Sequence, residues 1–240
     1  MNKPNPFELY FQGFISDFGG TVLPEGDSTQ DGVRTADYYF NKYAVIAELK
    51  TLMEDSSEKM SAAMLQAIVE WGGNPLSIPV KRDEYNRPYA DLDSIPEAIS
   101  KKWMGKLFQE IERNVKSANK QIAHTKKRLN LPDARGVILV ANASNPYHNN
   151  PKAYREALGA LVCKRTNTGE RRYAQIDGGV YFSNRLLSQT EKMPFWAPFH
   201  IEEPDNTNTE IQAFMLELRT QWYVYIEKTT GVTVRQHDTD

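Results

Sequence analysis

One cysteine, Cys163, stands in a chain of 240 residues, so no internal disulfide framework is available. The four histidines, His124, His148, His200 and His237, share none of the spacings a structural zinc site uses, with one another or with Cys163. No apolar run approaches the roughly 20 residues of a membrane-spanning helix. The N-terminus also lacks the basic start, apolar stretch and cleavage site of a secretory signal. A cytoplasmic location without a membrane partner is expected. The formal net charge of −2 offers no global attraction to polyanions, although a near-neutral total can hide a basic face opposite an acidic one. These absences leave room for a site of hard, oxygen-rich ligands.

What is present is an ordinary globular composition, 40% hydrophobic and 25% charged, at a length that suits one domain spanning residues 1–240. Phe7, Tyr10, Phe11, Phe14, Ile15 and Phe18 recur at helical spacing behind Pro6, which predicts an N-terminal helix. Residues 33–52 hold aromatic and β-branched runs on either side of Asn41-Lys42-Tyr43, the pattern of a strand, a tight turn and a second strand. A helix is expected from Asp55 to Trp71, closed by Gly72-Gly73, then a proline-bearing excursion over 74–94. Ile99, Trp103, Leu107, Ile111, Val115, Ala118 and Ile122 step by three and four, predicting one long helix or two in succession from Ile95 to about Leu129. The apolar run at 136–144 has the length of a strand buried on both faces. Further strands are expected at 157–163, 173–182 and 195–201, and a last amphipathic helix from about Thr209 to Lys228. The fold class is therefore α/β, a mixed central sheet flanked by helices.

The hairpin carries the chemistry. A turn centred near Lys42-Tyr43 sets residue 37 opposite residue 48, so Asp37 and Glu48 become cross-strand neighbours. Side chains alternate along a strand, which puts Lys50 on the same face as Glu48. Like charges side by side are unfavourable unless a cation separates them, and a pair of carboxylates suits magnesium, which keeps waters and substrate phosphate oxygens as its other ligands.

Asp37, the short hairpin and Glu48-Leu49-Lys50 resemble the active-site signature of the PD-(D/E)xK nuclease superfamily, the restriction-endonuclease-like fold. The helix after the triplet and the helix leading into an apolar strand at 136–141 are similar to that family's core, over roughly residues 5–145. Residues 146–240 then form a C-terminal strand and helix extension. The motif departs from its name in having Ala36, not proline, before Asp37. The resemblance implies that Asp37, Glu48 and the backbone carbonyl of Leu49 hold Mg2+, with Mn2+ able to substitute, and that Lys50 acts on the water or the phosphate. It implies a catalytic role for Gln121, and Glu8 is a further acidic match. The function it implies is a magnesium-dependent DNA endonuclease. The alternatives are a non-catalytic nucleic-acid-binding or assembly subunit, or a nuclease acting on RNA.

Two basic groups, Arg113, Lys116, Lys120, Lys126, Lys127 and Arg128, then Lys164, Arg165, Arg171 and Arg172, are candidates for phosphate contact. The modest total charge suggests a homodimer or companion subunit that adds grip on DNA. No helix-turn-helix or zinc module is present to read bases. Each histidine is read as a surface or hydrogen-bonded residue, Cys163 as near-core in a strand, and Asp177-Gly178-Gly179 as a bend at a strand.

Overall fold

A computed structural model describes residues 6–24, 34–52, 62, 65–66, 68–70, 72, 80–82, 88–90, 97–142, 151–183, 197–202 and 209–231. In chain order the elements are α1 (Pro6–Asp17), β1 (Thr21–Val22), β2 (Tyr38–Phe40), β3 (Val45–Leu52), β4 (Val80–Arg82), β5 (Pro88–Ala90), α2 (Glu97–Leu129), β6 (Arg135–Asn142), α3 (Pro151–Val162), β7 (Gly178–Ser183), β8 (Ala197–Glu202) and α4 (Thr209–Thr230). Six strands form one mixed sheet in the order β1-β2-β3-β6-β7-β8, and β4 pairs with β5 separately. β3, β6 and β7 run parallel, while β2 on β3, β1 on β2 and β8 on β7 are antiparallel. The class is α/β, as the sequence pattern implies.

Alternation along the central strands divides the core into two layers. Ile46, Ile138, Val140 and Tyr181 face α2 and α3, where Ile111, Val115, Ala118, Ile122, Leu158 and Leu161 cover them. Val45, Ala47, Val137, Leu139, Val180 and Phe182 face α1 and α4, against Phe7, Phe11, Phe14, Phe214 and Trp222. The second layer is dense in rings: Phe14 meets Trp222 edge-on at 5.2 Å and Phe40 meets Phe214 at 5.0 Å. Seven of the eight residues of β6 are buried, as befits a strand covered on both sides.

The hairpin turn is a single 3-10 turn, Asn41–Tyr43, closed by Ala44 in the left-handed region at φ 48°. The register is the one expected, with Tyr38 opposite Ala47 and Phe40 opposite Val45. α2 is one helix of 33 residues, stopped at Asn130, which takes φ 54°. Residues 62, 65–66 and 68–70 are helical, while the rest of the helix expected over Asp55–Trp71, Met60 and Met64 included, lies outside the described residues.

Three expectations are corrected. Residues 157–163 are not a strand but the second half of α3 and the turn after it. Tyr154, Ala157, Leu158, Leu161 and Val162 are all buried, a helical period that an isolated seven-residue apolar run does not reveal. Cys163 consequently sits half-exposed in a turn. β7 begins only at Gly178, because residues 172–175 form a turn. The excursion over 74–94 contains the β4–β5 pair.

Candidate active site

β2 stops pairing at Tyr38, and Asp37 takes over from its backbone: Asp37 Oδ2 accepts the Leu49 N–H at 2.8 Å. The N–H and C=O of one strand residue point to the same side, so the Leu49 carbonyl opens on the same edge, next to the Asp37 carboxylate. Glu48, one residue earlier, turns towards α2 together with Lys50. Lys50 Nζ donates to Glu48 Oε1 at 2.6 Å and to Gln121 Oε1 at 2.7 Å.

α2 braces this group with a polar stripe on its inner flank, spaced by fours: Ser117, Gln121 and Thr125. Ser117 Oγ donates to Gln121 Oε1 at 2.9 Å, which together with Lys50 fixes the amide orientation. The Thr125 hydroxyl donates to the Gln121 carbonyl at 2.8 Å and accepts the Ala36 N–H at 2.7 Å. Gln121 Nε2 reaches the Thr35 carbonyl at 3.4 Å. The chain is thus tied to α2 at the two residues preceding Asp37.

Glu48 is 2% exposed, and its Oε2 has no hydrogen-bond partner among the described residues. Burial first, then the charge of the facing Asp37, pushes Glu48 up to about 8. Burial likewise raises Asp37, against the Leu49 N–H and Lys50, which favour its ionised form. The two carboxyls face each other across the hairpin register, so near neutral pH the pair retains a proton.

Asp37, Glu48, Lys50, Gln121 and the Leu49 backbone therefore converge. Glu8 approaches from the other side of the sheet, where its Oε1 accepts from Thr51 Oγ1 at 3.0 Å. Among the described residues no set of three or more His, Cys, Asp or Glu side chains stands together as a metal cage. Two carboxylates, one unpartnered buried oxygen and an open carbonyl nevertheless fit magnesium, which uses few protein ligands, better than zinc. No protein-family model, curated protein or solved structure matches the chain.

Ser117 and Thr125 were not legible as site residues, although the spacing by fours beside a buried stripe is a usable signal. Asp177 is buried, accepts the Gly136 N–H at 2.9 Å and pairs with Arg171 at 3.0 Å, joining the starts of β6 and β7. His124 is half-buried on α2 and His200 lies in β8, while His148 and His237 fall outside the described residues.

Proposed function

We propose that the chain is a metal-dependent nuclease acting on DNA, with a restriction-endonuclease-like core over about residues 5–145. The observation that carries this reading is the facing pair Asp37 and Glu48 beside a lysine that is itself held by two oxygens. A buried, mutually repelling carboxyl pair is unfavourable as an isolated structural element, and a divalent cation relieves it.

Asp37, Glu48 and the Leu49 carbonyl are the residues that would hold magnesium. When bound, the ion supplies positive charge to the scissile phosphate and acidifies its water. The remaining work belongs to the chain. An ammonium has three N–H donors, and Glu48 and Gln121 use two of those of Lys50. The third is left to donate to the attacking water or to a phosphate oxygen as charge builds on it. Gln121, locked by Ser117, keeps Lys50 from swinging onto a carboxylate alone.

The deciding experiment is cleavage of supercoiled plasmid in Mg2+ and in Mn2+, with Asp37→Ala and Glu48→Ala as inactive controls. A wild-type protein that never cuts DNA in either metal overturns the reading. Duplex binding without cutting would make it a non-catalytic nucleic-acid-binding subunit, and cutting confined to RNA would move the substrate.

A further inference from the structure

The stretch from Arg113 to Pro132 contains six Lys or Arg residues and no Asp or Glu, in a chain whose net charge is −2. Four of the six, Arg113, Lys116, Lys120 and Lys127, fall within about 60° of one another around α2, at about 100° per residue, and all four are exposed. None has an ion-pair partner among the described residues. The nearest carboxylate on the helix, Glu112, one turn before Lys116, turns away to Lys164 at 2.8 Å and to the Tyr173 hydroxyl at 2.7 Å.

The second basic group behaves differently. Lys164 is held by Glu112, Arg171 by Asp177, and Arg172 stands 4.0 Å from Glu112. Two carboxylates, Glu112 and Asp177, thus offset part of that group's charge within the fold, whereas the α2 stripe has no carboxylate partner among the described residues. A stabilising role at the helix C-terminus accounts for Lys126, Lys127 and Arg128, since cations favour the last turn. It does not account for Arg113, Lys116 and Lys120, which lie outside that turn and stand at like-charge spacings of three and four, a mutually repulsive arrangement.

We propose that this stripe is a docking track for the phosphate backbone of duplex DNA, which deepens the nuclease reading and rests on it. The track runs about 21 Å from Arg113 to Lys127, a length over which a duplex carries about twelve phosphates. Residues 109–146 contain no Phe, Trp or Tyr. The stacking platform that single strands require is therefore missing from the helix face. The four side chains are donors without acceptors, so they engage phosphate oxygens and make no use of a 2′-hydroxyl as a donor. Ser117 lies about 40° and Gln121 about 80° beyond Arg113, so the stripe occupies the outer face of α2 and its Arg113 edge is the one nearer the flank that holds Lys50.

The test is fluorescence anisotropy of the full chain on a labelled duplex of about 30 base pairs, in Ca2+, across 50–200 mM salt. The triple variant Lys116→Ala/Lys120→Ala/Lys127→Ala should bind roughly tenfold or more weakly, with its log K against log salt slope reduced by about 2.7. Lys42→Ala, which removes a cation paired with Glu217 on the α4 side, should leave both unchanged. An unaltered slope in the triple variant, or tighter binding of single-stranded DNA or duplex RNA than of duplex DNA, overturns the track. The two readings separate cleanly. Cutting with an unaltered slope removes the track alone, and salt-dependent duplex binding without cutting removes the nuclease reading alone.

Discussion

The backbone N–H of Ala36 donates to the Thr125 hydroxyl at 2.7 Å, across 89 residues of chain. Both residues are buried, with Thr125 at 0% and Ala36 at 1% exposure. This one bond fastens the approach to Asp37 onto the helix that carries Gln121. Thr125→Val keeps the shape and strands a buried N–H, so unfolding in urea should show a loss of about 1–3 kcal/mol. Thr125→Ser restores the acceptor and should recover most of it. A Val variant as stable as wild type would mean that the bond does not hold the segment.

The carboxyl pair makes stability fall with rising pH. Glu48 keeps its proton up to about 8 when folded, against an ordinary value of 4.5 when unfolded. Between those values the folded state binds the extra proton, so each rise in pH favours unfolding, by at most about 5 kcal/mol in all. The raised Asp37 acts in the same direction. Thermal unfolding in EDTA from pH 5 to pH 8 should show the decline, and Glu48→Gln should flatten it. Mg2+ or Mn2+ at about a hundredfold excess over Kd should restore roughly 2.7 kcal/mol at the alkaline end. The same rise in Asp37→Ala would place the ion elsewhere.

The hairpin and the facing of its two acids are readable because three local signals agree: alternation on both strands, a turn of polar residues, and acids whose numbers sum correctly across it. Asp37 opposite Glu48 required no tertiary information, since register follows from the turn. Gln121 could be placed on a helix, but its approach to Lys50 depends on how α2 crosses the sheet. The failure at 157–163 has the opposite cause: Ala157 to Cys163 is a short apolar segment in which period 2 and period 3.6 look alike. Only Pro151 and Tyr154 upstream restore the helical phase.

Gly136 marks a contact that no pattern displays. It begins the buried part of β6, and a Cβ added there would lie 1.8 Å from the backbone oxygen of Gln175 and 2.9 Å from Ile122 Cγ2. The obstacle is backbone, held in place by the Asp177 N–H, which donates to the Gly136 carbonyl at 2.7 Å. Gly136→Ala should therefore force β6 away from the turn before β7 and lose about 3 kcal/mol or more in a denaturant melt. Gly72→Ala, whose Cβ would meet nothing within 4 Å among the described residues, should lose less, from its φ of 83°.

Lys50→Ala separates chemistry from structure. The Lys50 side chain is 19% exposed and its ammonium is bonded to Glu48 and Gln121, so its removal leaves Asp37 still capping the Leu49 N–H and the carboxyl pair still facing. Cation binding at Asp37 and Glu48, followed by calorimetry with Mn2+, should persist. Duplex binding in Ca2+ should persist as well, because the exposed stripe on α2 is untouched. What disappears is the donor that, in the proposed mechanism, meets charge developing on the water or the phosphate. The cleavage rate should fall on the order of 10²-fold or more, about 3 kcal/mol of transition-state stabilisation. Gln121→Ala should fall less, since it leaves the ammonium in place and removes only its second anchor. A Lys50→Ala enzyme that cuts plasmid at the wild-type rate would refute the role given to Lys50, whatever the metal does.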